Sequence, residues 1–345
     1  MDSPRRRHKR RWIRGGLLLC ALAGVAACGD DDGGNGNGNG NGLQFVVLTF
    51  NSGTSEGLGH GDGLDDGYST LDASYSDLYY GDGLAWSPAV EATTAFFADV
   101  SPDVVVFQEI FYTGDCSGIP PEALEKFICD TWQPGDPTVA QLVLGEGYQV
   151  MCNPGNNDKC AAVKRAFGSF RGCAGDFCLE GMEGFRVNDC GHGARVGRAV
   201  IELVAGGELT LVNYHGSSGI DQDEMDCRRQ QVDQVFVDLG DGEPGANGAR
   251  NLIMGDLNTD PGRLASMDPS ALRWTDFVGE GLPFHFITEV GMDAEPTYQG
   301  IVNIDHVMSD TATGTCWVAG LDGGPPPIIE ATYFDHLPIV CTVQM

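Results

Sequence analysis

Asp256 and Asn258 stand two residues apart, where the apolar run Leu252-Ile253-Met254 breaks at Gly255. A carboxylate can orient or deprotonate water, and an amide can donate to an anionic oxygen. Other apolar runs deliver polar groups in the same way. Asn51 follows "FVVLTF", Glu109 follows "VVVFQ" and His215 follows "LTLVNY". Asp305 and His306 interrupt "VNIDHVM", and Asp335 and His336 precede "LPIVC". One such residue is ordinarily a cap or a surface group. Six strand ends all offering Asn, Asp, Glu or His indicate a site, because strand ends on one sheet edge converge.

The residue types set the chemistry. Oxygen donors without cysteine favour a hard cation such as Mg²⁺ or Mn²⁺, with Glu109 and Asp335 as candidate ligands. The histidines suit proton transfer or hydrogen bonds to developing charge. The set holds no serine nucleophile and no glycine-rich nucleotide cradle. What it implies is metal-assisted attack by water, with a carboxylate or a carboxylate–histidine pair as base. A phosphoester, with its anionic oxygens, suits such a site.

The elements that must position these groups are short apolar runs bounded by turn residues, as buried strands are. They cover residues 44–51, 103–109, 198–204, 209–215, 251–256, 303–309 and 337–343. Ala205-Gly206-Gly207-Glu208 reads as a tight hairpin between two of them. Ser87-Pro88 reads as an N-cap with proline at the first helical position, opening a helix to about Asp99. Val232, Val235, Phe236 and Leu239 make one helical apolar stripe. Helices between buried strands predict a layered α/β protein, and the hairpin makes its sheet mixed.

The N-terminus is basic from Arg5 to Arg14, then apolar from Gly15 to Ala27, then Cys28. That run is too short for a bilayer, which takes roughly 20 residues, and it reads as a secretory signal. "VAAC" resembles a bacterial lipobox, with Cys28 as the lipidated residue. Residues 28–42, rich in Gly, Asn and Asp, read as a solvated tether. The reading is a lipoprotein anchored at the cell surface or in the periplasm.

Ten cysteines follow Cys28, an even number that in an exported chain reads as five disulfides. Seven fall between Cys116 and Cys190, which suggests a disulfide-rich insert around 111–190 within one domain spanning 43–345. The pairing is not readable. From residue 28 onward, 13 Lys and Arg face 48 Asp and Glu, a net of −35. Such a field repels nucleic acid and anionic lipid at long range, so a polyanion must be met by local arginines or by metal.

The series "TFN", "FQE", "NYH", "GDLN", "IDHV" and "DHLPI", in this order across nearly the whole mature chain, resembles the endonuclease/exonuclease/phosphatase superfamily. Deoxyribonuclease-I-like nucleases, sphingomyelinases and inositol-polyphosphate phosphatases belong to it. The resemblance implies a four-layer αββα sandwich of two packed mixed β-sheets flanked by helices, with a divalent metal. It implies Glu109 as principal metal ligand, supported by Asn51 and Asp335. Asp256 would orient or deprotonate water, and Asn258, one side-chain repeat along the same face, would bind a phosphate oxygen. His336, paired with Asp305, would be general base or transition-state stabiliser, and His215 the second histidine. No carboxylate is identifiable as the partner that orients His215. His306 reads as structural. The Gly/Asp-rich loop 52–86 reads as a solvated loop, with structural Ca²⁺ the weaker alternative.

Three functions are open at this point. One is a monomeric surface-tethered phosphodiesterase of endonuclease type acting on extracellular nucleic acid. The second is a sphingomyelinase- or phospholipase C-like hydrolase of a lipid head group. The third is a non-catalytic binding domain on the same scaffold. Arg195, Arg198, Arg228 and Arg229 discriminate the first two: clustered at the site they favour nucleic acid, scattered they favour neutral lipid.

Overall fold

A computed structural model describes residues 42–54, 67–191, 193–320 and 333–345. The signal, Cys28 and the candidate Ca²⁺-binding stretch of the 52–86 loop lie outside these residues. In chain order the first half contains β1 (Gln44–Asn51), α1 (Thr70–Tyr75), α2 (Ser87–Val100), β2 (Val104–Gln108), α3 (Val139–Leu144), β3 (Tyr148–Asn153), β4 (Asn156–Lys164), β5 (Gly168–Phe170) and β6 (Phe177–Cys178). The second half contains β7 (Val196–Leu203), β8 (Glu208–His215), α4 (Gln222–Phe236), β9 (Asn251–Asp256), α5 (Pro269–Trp274), β10 (His285–Phe286), β11 (Asp305–Ser309), β12 (Thr313–Val318) and β13 (Ile339–Gln344).

Two mixed sheets result, ordered β12-β13-β1-β2-β4-β3-β6 and β10-β11-β9-β8-β7-β5. Alternation along the strands explains their stacking. In β1, Phe45 and Val47 join the core shared by the two sheets, whereas Leu48 and Phe50 join a core shared with α2 and α3. β9 divides likewise: Leu252 and Met254 face the first sheet, and Ile253 packs with Val232, Val235 and Trp274 of α4 and α5. Helix, sheet, sheet and helix make the four-layer sandwich. Both faces of each central strand are buried, which is why these strands read as unbroken apolar runs.

Two pairings bring the site together. β1 runs parallel to β2, and β8 parallel to β9, so Asn51, the residue after Gln108, His215 and Asp256 all lie at C-terminal strand ends. β11 and β13 run antiparallel to β9 and β1, which sets Asp305 opposite Asp256 and brings the start of β13 to the end of β1. Beneath the site a buried amide pair joins the sheets: Gln108 Nε2 donates to Asn213 Oδ1 at 2.8 Å.

Several expectations are corrected. Residues 111–190 are not simply an insert, since they supply β4, β3 and β6, the last three strands of the seven-stranded first sheet. Their Cys-, Asn- and Ala-rich composition hid that strand character. All ten described cysteines form five disulfides, as expected, but not all of them staple loops. Cys152–Cys160 and Cys316–Cys341 join directly opposed residues on paired strands. Ser87 is helical and Trp86 takes the N-cap position without a side-chain cap. The hairpin turn lies at residues 204–207, one residue earlier than read. α4 ends at Phe236, so Leu239 packs from the turn beyond it. Among the described residues no helix is long and apolar enough to cross a membrane.

Candidate active site

The strand ends open into a cleft of about 730 Å³ lined by Asn51, Glu109, His215, Asp256, Asn258, Asp335 and His336. Seven of the eight residues expected to do chemistry thus face one space. Asp305, the eighth, lies behind His336: its Oδ2 sits 2.8 Å from His336 Nδ1, and both side chains are buried. His306 points away, and its Nε2 and Nδ1 bond Asn303 O and Thr288 Oγ1 at 3.1 and 2.9 Å. It is a satisfied core residue.

Asp256 is the hub. Its Oδ2 accepts from Asn51 Nδ2 and Asn258 Nδ2, both at 3.1 Å, and lies 3.6 Å from His215 Nε2 and 3.7 Å from His336 Nε2. Its Oδ1 accepts from the Asn258 backbone N–H at 2.7 Å. Asp256 and Asn258 are therefore neighbours through a side-chain turn and not through strand alternation. β9 ends at Asp256, and Asn258 adopts φ 50°, a left-handed conformation that asparagine tolerates better than most residues. Asn258 Nδ2 also donates to Gly216 O at 3.0 Å, so its amide is spent on holding Asp256 and the next loop.

Glu109 stands one residue past β2 with φ 56°, costly for a glutamate and typical of functional positions. Gly53 leaves it room, because any side chain there would collide with Glu109 Oε2. Glu109 Oε1 lies 3.5 Å from His215 Nε2. Asn51 Oδ1 accepts from Gly53 N at 3.2 Å, which leaves one lone pair free to face a cation.

Charge crowding shifts these groups in opposite directions. Burial, then Asp335 and Asp256, pushes Glu109 up to about 8. Burial also raises Asp256, opposed by His336. Burial works against the His336 imidazolium, but Asp305 and Asp256 outweigh it and push it up to about 10. His215 goes the other way: burial, Lys159 and Arg195 hold it well below the usual imidazole range. At neutral pH the cleft thus pairs a cationic His336 with a neutral His215. No described group accepts from His215 Nδ1, so the orienting carboxylate missing from the sequence is missing at that atom too.

The donor set fits a hard divalent cation. Glu109 and Asp335 offer carboxylates whose mutual repulsion a cation would relieve, Asn51 Oδ1 offers a carbonyl, and every described thiol is spent in disulfides. The tightest acidic and imidazole group is a different one, Asp256, Asp305 and His336, with ligand atoms within 4.8 Å of one another. There the 2.8 Å Asp305–His336 bond already occupies one nitrogen, so the trio suits proton handling better than metal.

Sequence reasoning missed several cleft residues, Lys159, Asp158, Asp82 and Tyr298 among them, and left the arginines unplaced. Lys159 on β4 is buried, with Nζ 2.8 Å from Asp158 Oδ2, and burial pulls its ammonium down. It went unseen because β4 was unseen. Asp82 reaches the same cleft from the turn before α2; its segment, read as part of a solvated loop over 52–86, instead carries α1 and buries Tyr68, Tyr80 and Leu84. Of the four arginines named above, only Arg195 lines the cleft, with Nη1 on Gly216 O at 2.9 Å. Arg198 is tied to Glu183 and Asp241, Arg228 to Asp268, and Arg229 lies 3.7 Å from Asp226.

No protein-family model matches the chain. No curated protein matches it either. Among solved structures, a humanized TDP2 of D. rerio is 13% identical, with a TM-score of 0.47 over 88% of this chain and 99% of that one. ANGEL2, a 2',3'-cyclic phosphatase, is 14% identical, with a TM-score of 0.48 over 88% of this chain and 96% of that one. An endonuclease/exonuclease/phosphatase from Beutenbergia cavernae is 15% identical, with a TM-score of 0.47 over 88% and 72%.

Proposed function

We propose that the chain is a divalent-metal-dependent phosphoester hydrolase in which water is the nucleophile. The observation that carries this is the buried Asp305–His336 pair facing Asp256, with Glu109 and Asp335 lining the same cleft. A cation held by Glu109 and Asp335, with help from Asn51 Oδ1, supplies Lewis-acid polarisation of a phosphoryl oxygen. Asp256, fixed by Asn51 and Asn258, orients the attacking water and takes its proton. His336, kept cationic by Asp305, donates from Nε2 to the oxygens on which charge develops. This charge state favours the stabiliser role over the general-base role for His336. Neutral His215, Lys159 and Arg195 supply the remaining donors to phosphate oxygens. Asn258 would have to release Gly216 O before it could join them.

The arginine placement bears on substrate. One of four lies in the cleft, which favours a single phosphate in an otherwise neutral or zwitterionic molecule, of the phospholipid head-group kind, over a polynucleotide. Lys159 and Arg195 together are the observation that supports the nucleic-acid reading. Export to an oxidising compartment fits the five disulfides, and anchoring through Cys28 is part of the same proposal.

The deciding experiment assays the purified protein with Mg²⁺, Mn²⁺, Ca²⁺ or EDTA on plasmid DNA, RNA, sphingomyelin and p-nitrophenyl phosphate esters. Head-group release with intact plasmid supports hydrolysis of a lipid head group. Metal-dependent nicking restores the nuclease reading. Inactivity on every substrate with every metal would leave a binding domain.

A further inference from the structure

Two loops leave the paired ends of β8 and β9, and one buried ion pair is bonded to both. The first loop, Gly216 to Gly219, follows His215, and the second, residues 257–260, carries Asn258. Arg228 on α4 is 1% exposed. Its Nη1 donates to Ser217 O and Gly219 O, both at 2.7 Å, and its Nη2 donates to Asp268 Oδ2 at 3.0 Å. The same Asp268 oxygen accepts from Thr259 Oγ1 at 2.7 Å, next to Asn258. Asp268 Oδ1 caps α5 through Ser270 N at 2.8 Å, and Arg228 Nε reaches Ser270 Oγ at 3.1 Å.

The loops also meet directly, with Asn258 Nδ2 donating to Gly216 O at 3.0 Å, and Gly216 N donates to Asp256 O at the end of β9 at 2.9 Å. Gln231, three residues beyond Arg228 on α4, accepts from Ser217 N and donates to Ser217 Oγ, both at 2.9 Å. Neither Arg228 nor Asp268 lines the cleft.

From these contacts we infer that Arg228 and Asp268 are positioning residues that fix the two loops against each other and so set His215 against Asp256. The kinetic part of this inference rests on the proposed hydrolysis; the coupling of the loops does not. A buried ion pair is a poor source of net stability, because desolvation offsets the attraction. This one is distinguished by where its remaining hydrogen bonds go. The planar guanidinium fork reaches two carbonyls of one loop while holding the carboxylate that grips the other. A lysine ammonium at that position keeps the charge but cannot span the same acceptors. Displacements on the order of 1 Å at a remote positioning group can cost about 10²-fold in rate.

The test is amide hydrogen exchange on the full chain carrying Arg228→Lys, Asp268→Asn or Thr259→Val. The last deletes a single hydroxyl link and is the variant most certain to fold. Arg228→Lys is expected to raise exchange by about tenfold at residues 257–260, which Arg228 does not touch. Asp268→Asn is expected to do the same at residues 216–219, which Asp268 does not touch. Loosening confined to the loop each residue touches, or spread evenly over α4 and α5, would overturn the coupling. This readout holds even for a protein that hydrolyses nothing.

On any substrate the wild type cleaves, Arg228→Lys should lower kcat by about 10²-fold with KM unchanged and circular dichroism intact. A kcat loss that merely tracks the unfolded fraction would mark the pair as ordinary fold support and would overturn its positioning role.

Discussion

His336 Nδ1 and Asp305 Oδ2 lie 2.8 Å apart, both buried, while His336 Nε2 faces Asp256 Oδ2 at 3.7 Å. One nitrogen is anchored and the other is aimed at the reacting space, an arrangement that fixes the orientation of the ring and favours its charged form. Asp305→Asn keeps the shape and removes the charge that holds the imidazolium. We expect kcat to fall by about 10²- to 10³-fold, the usual loss when a preorganised charge-stabilising donor is removed. The pH profile carries the sign. His336 sits up at about 10, so activity should persist through neutral pH and fall as pH rises through that value. In Asp305→Asn the alkaline limb should move toward the ordinary imidazole range. An unmoved limb would mean His336 is not the acid.

Glu109 and Asp335 impose the opposite kind of penalty. Glu109 is raised from 4.5 to about 8 by burial and by its acidic neighbours, so the folded state binds a proton that the unfolded state releases. The Glu109 contribution to stability without metal should therefore decline as pH rises from about 4.5 to about 8, the reverse of an ion-paired carboxylate. Thermal melts in EDTA should show that decline as the difference between wild type and Glu109→Gln across the window, and Mg²⁺ or Mn²⁺ should reverse it. Glu109→Gln should remove this component, abolish metal stabilisation and abolish activity. A variant that loses the pH slope yet still binds metal normally would remove Glu109 from the ligand set.

The seven cleft residues were legible because each lies at or a few residues beyond an end of a strand buried on both faces, and such a strand shows in one dimension as an apolar run. The four layers follow from the same feature. β4 was not legible: "NNDKCAAVK" alternates neither cleanly nor apolarly, since its first residues line the cleft beside a register shift against β3 and Cys160 is tied to Cys152. Lys159 was lost with it. The Asp256–Asn258 contact was anticipated for the wrong reason, because a left-handed φ at Asn258 is a property of the turn and not of the pattern. Arg228 was one of four arginines whose placement the sequence left open, and its burial against Asp268 with bonds to Ser217 O and Gly219 O shows that it faces the loops.

His306 allows a test away from the cleft opening. Its ring is buried, with Nε2 near Asn303 O and Nδ1 near Thr288 Oγ1, a pattern that suits the neutral ring. Burial lowers it from 6.5 to about 4. The unfolded chain takes up a proton in that window and the folded chain does not, so the His306 contribution to stability should be lost as pH falls from about 6.5 to about 4. His306→Gln should lose that component. Urea unfolding at a series of pH values measures it, and an identical slope in both proteins would place the protonation elsewhere.

The disulfides differ in what they should contribute. In the chain-entropy model a crosslink stabilises by the loop it closes in the unfolded state, more for longer loops. Cys190–Cys227 spans 37 residues and ties the segment before β7 to α4, whereas Cys173–Cys178 spans 5. Chain entropy alone then makes loss of the former costlier by about 2 kcal/mol. Cys227 precedes Arg228 in α4, so the longer crosslink also steadies the helix that grips the 216–219 loop. Paired Cys→Ser replacements, unfolded in urea under oxidising conditions, should rank the two bonds in that order. The Cys190/Cys227 variant should also show faster amide exchange at residues 216–219, and the Cys173/Cys178 variant should not. Equal costs with unchanged loop exchange would mean that the long crosslink acts neither through chain entropy nor through the helix.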